Sequence, residues 1–206
     1  MMSFVRGLAV LLLLAGVSFS AEKKADTGGK ADEGEVVYEE NFNDFSDDEE
    51  TGFTVDSVYG VDISIENKIA QGKKAMKVTA RDGVDYSKKY NMMRVSKEIS
   101  FTNDNAKLSF SYYVGPGVKG IEIGSKNNTV GDNYGAWAGN AMQGKWNKTT
   151  IRFKNFKPKD PKSPASPKPG DAFKHLHITG SIAPGSDLKD QWYIIDDIKL
   201  TVDSGK

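Results

Sequence analysis

The sequence predicts an all-β fold, a sandwich or barrel, and three observations carry that reading. Short segments alternate apolar and polar residues at the two-residue period of a half-buried strand. Gly, Asn and Asp punctuate them at turn positions. No window has the spacing of a long amphipathic helix.

Met1 to Ala21 holds one early Arg6, an unbroken small and apolar run from Gly7 to Val17, and then Ser18-Phe19-Ser20-Ala21. A short basic start, an apolar stretch of this length and small residues around the cut read as a secretory signal peptide over 1–21, cleaved after Ser20. The run is shorter than a bilayer requires, so the mature chain is expected to carry no membrane span; the alternative is a retained anchor. The expected location is secreted, periplasmic or at a bacterial cell surface. The chain has no cysteine, hence neither a lipobox nor a disulfide framework, and its stability must come from its core. Lysine and arginine number 28 against 28 acidic residues, which gives no general case for binding nucleic acid.

Residues 22–35 mix Gly, Ala, Lys and acids without period and read as a disordered leader. A single domain is expected over 36–203. Its strands begin with VVYEENF (Val36 to Phe42) and SVYGVDISIE, in which Val61, Ile63 and Ile65 alternate with polar residues. KKAMKVTA puts Met76, Val78 and Ala80 on one face, and AKLSFSYYV puts Leu108, Phe110, Tyr112 and Val114 inward. GIEIG, then KWNKTTIRFKNF with Ile151 and Phe153 inward, then HLHITG with Leu176 and Ile178 inward, lead to the closing strand. That strand, QWYIIDDIKLTV, places Trp192, Ile194, Asp196, Ile198, Leu200 and Val202 on one face, read as core, and Tyr193, Ile195 and Asp197 on the other. Asp196 must then find a donor, a basic partner or a cation.

Two loops are expected. Gly131 to Gly144 is rich in Gly and Asn, and Asn155 to Gly170 carries five prolines and several lysines, which rules out a central strand and predicts an extended loop standing out from the domain.

Several segments together resemble the jelly-roll, galactose-binding-like carbohydrate-binding modules: the Glu40-Asn41-Phe42-Asn43 strand end, Gly72 to Val78, the L-S-F-S-Y-Y strand, the W-x-x-x-x-I-x-F strand from Trp146, and W-Y-I-I-D-D-I-K-L. The resemblance spans Val36 to Val202 and implies an antiparallel jelly-roll β-sandwich. It also implies a structural calcium where the first and last strands meet, held by Asn43 or Asp44, a carbonyl near Lys73, and Asp196. Asn43 stands where a glutamate is usual, which removes one negative charge from a hard-oxygen site. The alternative is that Asp196 accepts main-chain N–H bonds or pairs with a lysine.

Sugars bind in water by stacking on half-wet aromatics while amides and carboxylates hold their hydroxyls. Tyr134 and Trp137, with Asn133 and Asn140 beside them, are the first candidates; Tyr113 and Tyr193, on outward faces, are the second. Trp137 could instead fold back as a lid on the core. Trp146 and Trp192 sit at core-phase positions. Tyr86, Tyr90 and Arg94 could line the same end. His175 and His177 have a zinc-compatible spacing but no third ligand, and read as solvated. The acids Asp47 to Glu50 lack the alternation of a calcium loop.

No run of alternating acids suits a glycosidase and no G-x-S-x-G occurs, so no catalytic residue is expected. The expected function is non-catalytic binding of a polysaccharide or cell-surface glycan. The rivals are a structural or adhesion protein docking a protein partner through the Pro/Lys-rich loop, and a sandwich-fold glycoside hydrolase or polysaccharide lyase.

Overall fold

A computed structural model describes residues 34–46, 51–55, 60–81, 92–182 and 191–203. The expected signal peptide, nearly all of the leader, the acids 47–50, Tyr86 and Tyr90 lie outside the described residues. Two antiparallel sheets make up the domain. One runs β2 (Val61–Glu66), β3 (Ala75–Ala80), β11 (Trp192–Val202), β5 (Lys107–Val114), β8 (Trp146–Arg152), with β1 (Glu35–Glu40) also on β11. The other runs β4 (Met92–Thr102), β10 (Ala172–Ile182), β6 (Val118–Asn127), β7 (Asp132–Trp137), β9 (Lys157–Pro158). A sandwich of this kind is what the short alternating segments predict.

The closing strand is central, as its apolar content requires. β11 has β5 along one edge, and on the other edge β3 pairs with its first half and β1 with its second. The core lies between the sheets, with Leu108, Phe110, Tyr112 and Val114 of β5 meeting Met93 and Val95 of β4, Leu176 and Ile178 of β10, and Ile121 and Ile123 of β6.

The phase of β11 differs from a simple alternation. Asp197 has φ 49°, and the register with β5 shifts between Asp196 and Lys199, so the strand carries a bulge. Tyr193 and Ile195 face the core before it, Ile198 and Leu200 after it. Tyr193, expected to point outward, is therefore fully buried, and its hydroxyl reaches the carbonyls of Met93 and Ile178 at 3.1 Å across the core. Gly180 makes room for that ring: a Cβ there would lie 2.6 Å from Tyr193 Cδ1. Trp192 and Trp146, expected in the core, instead lie half-buried on the outer face of the first sheet, where Tyr113 stacks on Trp192 at 5.6 Å and meets Trp146 edge-on at 5.9 Å. Ile194 and Asp196 share that outer face and are buried there, outside the main core.

Neither expected loop is loose. The Gly-rich stretch contains β7, whose alternation puts Tyr134 inward and Asn133, Gly135 and Trp137 outward. The Pro-rich stretch folds back onto β7: β9 pairs with Tyr134 and Gly135, Lys159 N–H donates to Asn133 O, Asp160 N–H donates to Asp132 Oδ2, and Tyr134 Oη donates to Pro164 O at 2.8 Å. Its far end is held by Asn103 Nδ2 on Lys168 O and by Lys168 N–H on Asp171 Oδ2. Five prolines forbid a central strand, yet they suit an edge pinned by side chains.

Candidate functional site: a cleft on the five-stranded sheet

The outward face of the second sheet is set by register. One cross-strand row reads Ser96, His177, Gly124, Gly135; the next reads Arg94, Thr179, Glu122, Trp137. The middle strand alternates Gly120, Glu122 and Gly124 outward with Ile121 and Ile123 inward. The paired glycines Gly124 and Gly135 contribute no side chain of their own to the floor of a trough, and the Glu122 carboxylate reaches over Gly135 from one side.

This trough is a cleft of about 430 Å³ lined by Met92, Arg94, Glu122, Asn133, Lys159 and His177, among others. A second hollow of about 530 Å³ shares Glu122 and Lys159 with it and includes Trp137, Gly135, Lys157 and Thr149. Both lie in the size range of ligand sites. Lys159, delivered by the Pro-rich segment, donates to Glu122 Oε1 between the two hollows. Trp137 is 56% exposed, and its ring lies beside Gly120, where a Cβ would come 3.7 Å from Trp137 Cζ3.

The polar groups are held in place by one another. Arg94 Nε donates to Thr179 Oγ1 at 3.2 Å. His177 Nδ1 and Ser96 Oγ share a hydrogen bond of 2.8 Å. Burial, then the charges of Arg94 and His175, push the His177 imidazole down to about 4, so it is a neutral ring at physiological pH. The cleft thus offers a stacking surface, a carboxylate, a guanidinium, an ammonium, an amide and a neutral imidazole around a flat floor. That is the chemistry needed to hold a polyhydroxylated ring by its faces and edges.

Of the expected ligand residues, Trp137 and Asn133 lie on this face. Tyr134 does not stack in solvent: it is fully buried beneath the floor, and its hydroxyl anchors the Pro-rich wall. Asn140 is exposed past the end of β7, outside the lining of both hollows. Tyr113 and Tyr193 belong to the other sheet, the first on its outer face and the second in the core. Glu122, Thr179 and Lys159 are additional lining residues. Glu122 could have been found from GIEIG, since a strand whose outward positions read Gly, Glu, Gly advertises a bare floor around one acid.

At the junction expected to hold calcium, Asn43 Oδ1 accepts N–H bonds from Lys73 at 2.7 Å and Lys74 at 3.1 Å. Asp196 Oδ1 accepts the Asp197 N–H at 2.8 Å. Asp44 is exposed. Asn43 Oδ1 thus faces two main-chain donors and Asp196 Oδ1 one.

No protein-family model and no curated protein matches the chain. Solved structures do. The N-terminal CBM22-1-CBM22-2 tandem domain from Paenibacillus barcinonensis is 16% identical with a TM-score of 0.54 over 85% of this chain and 49% of that one. The CBM22-2 xylan-binding domain from the same organism is 11% identical with a TM-score of 0.51, over 81% of this chain and 99% of that one. The fold is that of these jelly-roll carbohydrate-binding modules. The family 11 module from Clostridium thermocellum, in complex with a β-1,3-1,4-mixed-linked tetrasaccharide, is 15% identical with a TM-score of 0.50, over 77% of this chain and 94% of that one. An exo-β-agarase also matches, at 12% identity and a TM-score of 0.54, over 82% of this chain and 25% of that one. The chain thus spans about half of the tandem domain and a quarter of the agarase.

Proposed function

We propose that the protein binds a polysaccharide in the cleft of its five-stranded sheet and does not cleave it. The observation that carries this is the glycine floor at Gly124 and Gly135, flanked by exposed Trp137 and by Arg94, Glu122, Lys159 and neutral His177. Three of the structural neighbours are carbohydrate-binding modules, and two are described as xylan-binding or as bound to a mixed-linked tetrasaccharide, which agrees with this reading. Hydrolysis by paired carboxylates calls for two acids about 5–9 Å apart. Among the described residues lining the cleft, Glu122 is the one carboxylate, and it is bonded to Lys159. For an adhesion surface one expects a contiguous apolar patch. The exposed large hydrophobic residues among those described are Val36, Trp137 and Met142. The chain is read as a secreted protein acting on glycans outside the cytoplasm.

The test is a glycan-array screen of the full chain beside Gly124→Leu. A Cβ at Gly124 meets only ordinary contacts, 3.6 Å to His177 Cβ being the nearest, so a larger side chain fills the trough and leaves the sheet intact. Binding to a defined polysaccharide that Gly124→Leu abolishes, with the fold unchanged by circular dichroism, is the expected result. Equal binding by both proteins, or no binding by a folded parent, refutes the assignment.

A further inference from the structure

The segment joining β2 to β3 does not make a tight hairpin. It crosses the outer face of the first sheet: from the β2 edge it reaches the opposite edge, where Trp146 Nε1 of β8 donates to Ile69 O at 2.8 Å. This crossing accounts for the burial of Ile194, Ser111 and Asp196 on that face. Something must fasten the segment there, because a polar turn laid over a sheet has main-chain groups to satisfy.

Two side chains do so. Asn43 takes the N–H groups of Lys73 and Lys74 on its single amide oxygen. Asp196 Oδ1 takes its neighbour's N–H at 2.8 Å, and the main-chain N–H groups of Gln71 and Gly72 also lie against its carboxyl. Lys74 Nζ adds a bond to Phe45 O, tying the same turn to the chain beyond Asn43. The N–H groups of Lys73 and Lys74 are therefore spent on Asn43 Oδ1, and those of Gln71 and Gly72 lie near Asp196, the oxygens that a calcium would need. Such a row of N–H groups is a site for an acceptor, and a cation there would face their positive ends and strip them of partners. Asn43, being neutral, supplies no charge to offset that.

We propose that a hydrogen-bonded clasp, made of Asn43 and Asp196 on the 71–74 turn, stands in place of a structural calcium, and that the domain folds and keeps its shape without the ion. The turn is held by donors and acceptors the chain supplies itself, and Trp146 reports its docking.

The experiment is thermal unfolding of the full chain in EDTA and in excess calcium, with calorimetric titration of calcium into the chelator-treated protein and Asn43→Ala run in parallel. Expected are equal midpoints in both buffers, no stoichiometric heat of calcium binding, and for Asn43→Ala a midpoint lowered by several degrees to the same extent in each, with a red-shifted tryptophan emission. A parent midpoint that rises with calcium and falls with chelator, together with one-site calcium binding lost in Asp196→Asn, overturns the proposal. Should Asn43→Ala fail to fold, the calcium titration of the parent decides the matter alone.

Discussion

Replacing Trp137 by alanine tests the stacking surface directly, and its size can be worked from the structure. A tryptophan offers up to about 250 Å² of surface. With 56% exposed, roughly 140 Å² of Trp137 faces solvent, and a sugar lying on one ring face covers roughly half of it. At about 25 cal/mol per Å² that is ~1.7 kcal/mol, and the apolar face of the sugar loses a comparable area, so the full effect is ~1.5–3 kcal/mol. Affinity should fall about 10- to 100-fold. Because the ring is more than half exposed, the cost in stability should stay within ~1 kcal/mol. Isothermal titration with the polysaccharide identified by the array measures the first, and urea denaturation the second. Affinity changed less than about threefold by Trp137→Ala, in a protein whose binding Gly124→Leu abolishes, would show that the stacking surface lies elsewhere.

Three further outcomes are expected. Gly180→Ala drives a methyl into the Tyr193 ring at 2.6 Å and should cost ~1–3 kcal/mol or more, read from the urea midpoint; a neutral change would mean that the ring does not cross the core there. Burial foremost, helped by the Asp197 charge and opposed by the Asp197 N–H, pushes Asp196 up to about 6 from 3.8. A carboxyl raised in the folded state contributes stability that is present below pH 4 and lost as pH rises through 6, so Asp196→Asn should gain on the parent by ~1–3 kcal/mol between pH 4 and pH 8; a constant difference in unfolding free energy across that range refutes it. With His177 pushed down to about 4, glycan affinity should be level from pH 5.5 to 8 and change only as pH falls toward 4; a break near 6.5 in a pH series would show an unperturbed imidazole.

Where alternation was unbroken, the sequence was legible residue by residue: Leu108, Phe110, Tyr112 and Val114 are buried as their spacing demands. It failed where one residue shifts the phase. In β11 the bulge at Asp197 exchanges faces, which moved Tyr193 into the core and Trp192 out of it, and nothing in W-Y-I-I-D-D-I-K-L marks the bulge except a pair of aspartates. In the same way β7 hides behind its glycines, since Asn133, Gly135 and Trp137 look like loop chemistry until Tyr134 and Ala136 are set against the core. β4 is hard to read as a strand because Ser96, Lys97 and Glu98 interrupt its apolar positions. The cleft itself depends on cross-strand register between four strands, which is tertiary information, although Trp137, Asn133 and Arg94 were visible as candidates.

The bare floor of the cleft has a consequence for the kind of chain it suits. Gly124 and Gly135 have no rotamers to freeze when a ligand lands, and Lys159 is already tethered to Glu122, so little conformational entropy remains for the protein to lose. Trp137 turns about only two side-chain torsions. The ordering cost of binding then falls mainly on the polysaccharide. Between two glycans offering the same hydroxyls, the stiffer and more extended one should dwell longer in this trough.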